Sequence, residues 1–269
     1  MFTSTLLALA TALFPAPKPE PAAEEPAPIE VKIGGNEKQR YFLHAPKEAK
    51  APASGWKLLV VMPGGDGSAD FAPFVGRIRE HALGDDWLVA QMVAPVWSKE
   101  QADKLVWPTK LAPWPKAEFT CEEFFDALVA DVAKTRKLDP KHLFTLAWSS
   151  GGPLAYTLGL REKTNVTGTF VAMSVFKPES LPKLSSAKGR AFHVLHSPED
   201  WIPIAQAEAA RDELKKKGAC VSFATYAGGH GWKGDVYGMI RAGVAELEKA
   251  AKAAKPASKA SSRPSPKEG

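Results

Sequence analysis

The stretch Leu143-Phe144-Thr145-Leu146-Ala147-Trp148-Ser149-Ser150-Gly151-Gly152 constrains this chain more than any other. An apolar, strand-type run leads into a serine, and a helix-type pattern from Pro153 to Arg161 begins almost directly after it. A strand that turns sharply into a helix brings the two backbones close together, so the residues two before and two after the turn must be small. Ala147 and Gly151 meet that demand around Ser149. The pattern is G-x-S-x-G with alanine in the first glycine's place. The following helix points its positive N-terminal end at the serine. Centring the turn on Ser150 instead would put Trp148 at a position that needs a small side chain.

Around this segment, strand and helix patterns alternate. Apolar runs of strand type lie at Lys57 to Met62, Trp87 to Val93, Val166 to Met173, Ala191 to His196 and Val221 to Tyr226. Most lack polar alternation, as expected of strands covered on both faces. Helical patterns lie at Phe71 to Leu83, Thr120 to Lys137, Ile204 to Lys217 and Val236 to Ala250. Thr120 with Glu123 forms a capping-box signature, and Gly218 stands where a helix stops. Ile29 to Ile33 and Arg40 to Leu43, joined through Gly34-Gly35-Asn36, read as a hairpin. Strands alternating with helices imply an α/β fold with a mostly parallel central sheet and helices on both faces.

Two further segments end in residues that match the serine. His196-Ser197-Pro198-Glu199-Asp200 follows one predicted strand, and Gly228-Gly229-His230-Gly231-Trp232 follows the next. The order serine, acid, histidine, with each at a strand end, resembles the α/β-hydrolase superfamily and within it the esterase and phospholipase/carboxylesterase-like branch. The resemblance covers roughly residues 56–250. It implies Ser149 as nucleophile, His230 as general base and Asp200 as the acid that orients the histidine. The stretch from the acid turn to Pro203 is one residue shorter than in many relatives, which keeps Glu199 as a competing acid. The backbone N–H groups of Ser150 and Gly65 would form the oxyanion hole, Gly65 standing in Met62-Pro63-Gly64-Gly65-Asp66-Gly67 where relatives carry a His-Gly-Gly-Gly element. That glycine-rich loop lacks the Gly-Lys-Ser/Thr ending of a phosphate-binding loop. His193 and His196, within or at the end of a strand, are expected to pack or to hydrogen-bond.

The segment from Pro95 to Phe119 is too long for a mere connection and carries Trp97, Trp107 and Trp114 among prolines. Insertions over the strand ends form the substrate pocket in the resembling family, so these tryptophans are candidates to line it; the competing reading is that they patch the edge of the core.

The 269 residues carry a net charge of +5, and residues 249–269 hold six basic residues against one acid, the whole of that excess. A near-neutral body argues against a nucleic-acid face. The tail, rich in Lys, Ala, Ser and Pro, reads as disordered. The apolar run Leu6 to Phe14 is too short to span a bilayer and has the length of a signal h-region, although no Lys or Arg precedes it. The expected division is a signal-like segment and Pro-rich linker over 1–28, a hydrolase domain over 29–250 and a basic tail over 251–269, with the protein exported. Cys121 and Cys220 make no metal or redox spacing, and their pairing is open.

The expected activity is a serine hydrolase that cleaves a small-molecule or polymer-linked carboxylic ester, needing no cofactor and no metal. No partner nucleic acid and no stable membrane span are expected, and the oligomeric state is open. Two other readings stand beside it: a peptidase of the prolyl-oligopeptidase type, which usually carries a propeller or cap, and a non-catalytic binding module on the same scaffold.

Overall fold

A computed structural model describes residues 27–46 and 49–253. Residues 1–26 of the expected leader and linker, and all but the first three residues of the expected tail, lie outside the described residues; residues 251–253 continue the last helix.

One eight-stranded sheet organises the chain, in the order β1-β2-β4-β3-β5-β6-β7-β8. The hairpin of β1 (Ile29–Lys32) and β2 (Arg40–His44) pairs antiparallel onto β4 (Trp87–Met92). From there the neighbours β3 (Trp56–Met62), β5 (Leu138–Trp148), β6 (Gly168–Ala172), β7 (Ala191–His196) and β8 (Cys220–Thr225) are all parallel. Side chains alternate across the pleat and feed two cores. Leu58, Val60 and Met62 face α3 (Cys121–Thr135), α4 (Gly152–Leu160) and α5 (Ile204–Lys216), packing with Phe124, Leu128, Leu154, Leu158 and Leu214. Leu59 and Val61 face α1 (Ala72–Ala82) and α6 (Val236–Ala253), packing with Val75, Ile78, Ile240, Val244 and Leu247. Burial on both faces explains why the strands read as unbroken apolar runs.

Two departures from the sequence reading have local causes. A short helix, α2 (Lys99–Lys104), interrupts the 95–119 segment; Ser98 caps it by accepting from the Gln101 N–H, and six residues are too few to show a period. Strand β5 begins five residues before its apolar run, because Leu138 pairs with Trp56 ahead of a register shift. The capping box of Thr120 and Glu123 is present at α3. Both cysteines are free thiols, Cys121 buried and Cys220 exposed. No helix among the described residues is long and apolar enough to cross a membrane.

The turn after β5 leaves no spare room. A Cβ at Gly151 would run into the Met62 carbonyl oxygen and lie 3.0 Å from that of Pro63. These are backbone atoms of the neighbouring strand end and cannot swing away. Gly151→Ala is therefore expected to destabilise the fold by roughly 3 kcal/mol. Thermal unfolding should register this as a drop of about 6–12 °C for a chain of this size.

Two buried histidines set an acid limit to stability. His44 on β2 lies against Gly76 of α1, and His193 on β7 lies against Phe170 and Gly243 of α6. Burial lowers each to about 4, so both stay neutral in the folded state where the unfolded chain would protonate them. The unfolded state then binds more protons between pH 6.5 and 4, and stability falls as pH drops through that window. A loss of up to about 3 kcal/mol per histidine is expected by pH 4, with little change above pH 7. Urea unfolding at pH 7.5, 5.5 and 4 measures it; a flat midpoint across that range would contradict it.

Candidate active site

The loops after the C-terminal ends of β5, β7 and β8 bring the three residues singled out in the sequence into one hydrogen-bonded line. Ser149 follows β5 with φ at 51°, a left-handed conformation that a non-glycine residue adopts only when its surroundings enforce it. Ser149, not Ser150, is thus the residue at the tip of the turn. Its carbonyl accepts a 2.7 Å hydrogen bond from the Ser174 hydroxyl just beyond β6, which pins the backbone from below. Ser150 is turned away, donating its hydroxyl to the Gly65 carbonyl at 2.8 Å. That bond ties the turn to the loop after β3. The Ser150 N–H lies in the first turn of a helical segment, where backbone donors have no intrahelical acceptor.

His230 Nε2 lies 3.0 Å from Ser149 Oγ, and its Nδ1 lies 2.9 Å from each carboxylate oxygen of Asp200. An ionised carboxylate only accepts, so Nδ1 carries the proton and Nε2 faces the serine as an acceptor. Asp200 is buried, and the Ile202 N–H donates to its Oδ1 at 2.8 Å. His196, fully buried, has its Nε2 2.9 Å from the Ile202 carbonyl and thereby braces the acid turn.

Glu199, the competing acid, is placed elsewhere. Its Oε2 accepts from the Gly228 N–H at 2.6 Å and from the Ser197 hydroxyl at 3.0 Å. Ser197 Oγ in turn accepts the Gly229 N–H at 3.1 Å. These bonds staple the acid turn to the histidine loop, and the Gly228 N–H, followed by the Ser197 hydroxyl, holds the Glu199 carboxyl below its usual range. Tyr226 works from underneath. Its hydroxyl lies 3.1 Å from the Gly229 carbonyl and 2.9 Å from that of Gly231, the two residues flanking His230. Burial, and then the charge of Asp200, push the phenol up to about 12, so it remains a donor. Gly229 and Gly231 have φ of 75° and 103°, a backbone path open chiefly to glycine.

Two tryptophans of the 95–119 segment, Trp97 and Trp107, make their contacts with other parts of the fold than Ser149, His230 and Asp200. Trp107 is 3% exposed and donates its indole N–H to the Pro63 carbonyl at 3.2 Å, supporting the loop after β3 from within the core. Trp97 stacks edge-on against Phe119 with Lys38 over its ring. Trp114 is half-buried in a turn whose carbonyl accepts from Ala117. Expected as pocket walls, Trp97 and Trp107 instead fill the edge of the core, because an aromatic-rich loop buries its own rings first. The aromatic residues beside the line come from other places. Trp148, next to Ser149, meets Phe71, Phe74 and Trp232 at ring separations of 5.6–5.8 Å. Trp201, next to Asp200, lies 4.9 Å from the His230 ring. The adjacency of Trp148 to Ser149 and of Trp201 to Asp200, and the place of Trp232 two residues after His230, were the signals that could have found these three.

No protein-family model matches the sequence, and no curated protein does. Solved structures do match its fold. An α/β hydrolase, MGS-M1, from a Medee basin deep-sea metagenome library superposes with a TM-score of 0.63 at 16% identity, covering 84% of this chain and 98% of that one. Esterase 2 of Thermogutta terrifontis, in a structure phosphorylated by paraoxon, gives 0.59 at 16% identity, covering 81% and 92%. A Bacillus cereus carboxylesterase gives 0.56 at 16%, covering 81% and 97%. The chain therefore has the α/β-hydrolase fold.

Proposed function

We propose that this protein is a serine hydrolase that cleaves carboxylic esters through an acyl-enzyme intermediate. The observation that carries the reading is the unbroken line Ser149–His230–Asp200 with the serine on a strained turn. A serine hydroxyl is inert at neutral pH unless a base takes its proton as it attacks. In this reading His230 Nε2 removes that proton while Ser149 Oγ adds to the ester carbonyl. Asp200 holds the tautomer and balances the imidazolium that forms. The negative charge moves to the carbonyl oxygen, where the N–H groups of Ser150 and Gly65 receive it. Collapse breaks the bond to the alcohol, and His230 returns the proton to that leaving oxygen. Water then repeats the sequence on the acyl-enzyme: His230 takes its proton, the acid departs and Ser149 Oγ is protonated again.

Ester rather than peptide cleavage is favoured because no cap or propeller among the described residues selects a peptide over Ser149. The structural neighbours described as esterases agree with this choice. The test is labelling with a fluorophosphonate probe alongside turnover of an activated ester and a chromogenic peptide. Labelling with ester turnover supports the reading. Labelling with faster peptide turnover moves it to a peptidase, and a folded protein that resists the probe points to a binding module.

A further inference from the structure

Trp201 stands out beside the site because it is a large apolar side chain that the fold leaves 72% exposed. It directly follows Asp200, whose carboxylate is fully buried, so its backbone is anchored by the acid turn while its ring is free. The ring sits 4.9 Å from the His230 imidazole at a tilt of 45°, so one indole face remains open to solvent. A cavity of about 550 Å³, bordered by Pro140, Thr167 and Arg190, lies away from Trp201, at the opposite ends of the strands. Ser149 itself is half-buried at the surface. The exposed Trp201 ring and the half-buried Ser149 together offer substrate an open platform.

We propose that Trp201 is the stacking platform for a flat, apolar-faced ring on the alcohol side of the ester, so that the preferred substrates are esters of ring-bearing alcohols. The inference rests on the serine-esterase reading. The side follows from the chemistry of His230. Its Nε2 must deliver a proton to the leaving alcohol oxygen, so that alcohol lies over the imidazole, and the indole against the imidazole is next to it. On the loop after β3, Ser150 bonds to the Gly65 carbonyl and Phe71 would touch a Cβ placed on Gly65. An indole face recognises rings through contact area and the electrostatics of its π-system. A pyranose and an aromatic ring both present such a face.

Three acetates that share the acyl group separate these possibilities: ethyl acetate without a ring, benzyl acetate with an aromatic ring, and an acetylated methyl glucopyranoside. Each is measured with wild type, Trp201→Ala and Trp201→Phe. The expected result is that Trp201→Ala lowers kcat/KM on at least one ring ester about tenfold, equivalent to ~1.4 kcal/mol. The loss should sit in KM, ethyl acetate should change less than about threefold, and Trp201→Phe should recover most of the loss. Which ring ester suffers identifies the source of the ring. An equal loss on all three acetates would overturn the platform and leave Trp201 as packing for His230. Unchanged ring esters would overturn it as well. In both of those cases Ser149-dependent turnover of ethyl acetate keeps the esterase reading intact. A folded wild type that hydrolyses none of the three and resists a fluorophosphonate overturns both.

Discussion

Ser149→Ala is expected to lower kcat on an activated ester by roughly 10⁴–10⁶-fold, with phosphonate labelling lost altogether. The size follows from removing the atom that forms the covalent intermediate while leaving the donors around it in place. The fold should survive. The Ser174 hydroxyl holds the Ser149 carbonyl, not its side chain, and the left-handed φ is imposed by the two strands and the helix that meet there. Alanine at that φ is as strained as serine, so the unfolding temperature should move by only a few degrees. Ser150→Ala is the informative companion. It removes the hydroxyl that bonds to the Gly65 carbonyl but keeps the N–H proposed for the oxyanion. Its loss should be of the order of tenfold, through a less rigid loop. Collapse in Ser150→Ala with turnover kept in Ser149→Ala would mean that the serines had been assigned the wrong way round. Retention of turnover in both variants would end the covalent mechanism.

The parts of the site that were legible in the sequence are those that local backbone rules dictate. A serine between Ala147 and Gly151 at a strand end has few conformations open to it. A histidine between glycines at the next strand end but two is the same kind of signal. The parallel strands were legible because burial on both faces writes unbroken apolar runs, as in Leu58 to Met62. What was not legible depends on which side chain reaches which neighbour. Glu199 and Asp200 are adjacent in the chain; the resemblance singles out Asp200, but the staple that Glu199 makes to Gly228 and Ser197 has no signature in the sequence. Trp97 and Trp107 share a loop with the composition of a pocket wall, yet the room beneath that loop takes their rings. Trp148, Trp201 and Trp232 gather around the site instead, although they sit on three different strand ends. Short α2 escaped for a different reason: its capping residue Ser98 specifies it, and six residues leave no period to read.

Adjacent carboxylates with different partners make the second large prediction. Asp200→Asn is expected to reduce kcat by about 10⁴-fold with the structure unchanged. An amide in place of the carboxylate can present its NH₂ to Nδ1, which turns the tautomer over and leaves Nε2 carrying the proton. The base then has no lone pair for Ser149 Oγ, and the imidazolium loses the buried charge that balances it. Glu199→Gln is expected to cost less than about tenfold, since the amide oxygen still accepts the Gly228 N–H and only the charge is lost. Glu199→Ala should cost more than Glu199→Gln, because the Gly228 N–H and the Ser197 hydroxyl both lose their acceptor and the histidine loop loosens. The sign of the pH effect follows from the same bonds. They hold the Glu199 carboxyl below its usual range, so the staple is present above the ordinary carboxylate pKa and is released only as pH falls through the depressed value. Rates for the three variants on one activated ester, with circular dichroism to confirm folding, separate the roles. A larger loss in Glu199→Gln than in Asp200→Asn would transfer the orienting role to Glu199, and the geometry around His230 would then not be the one that turns over substrate.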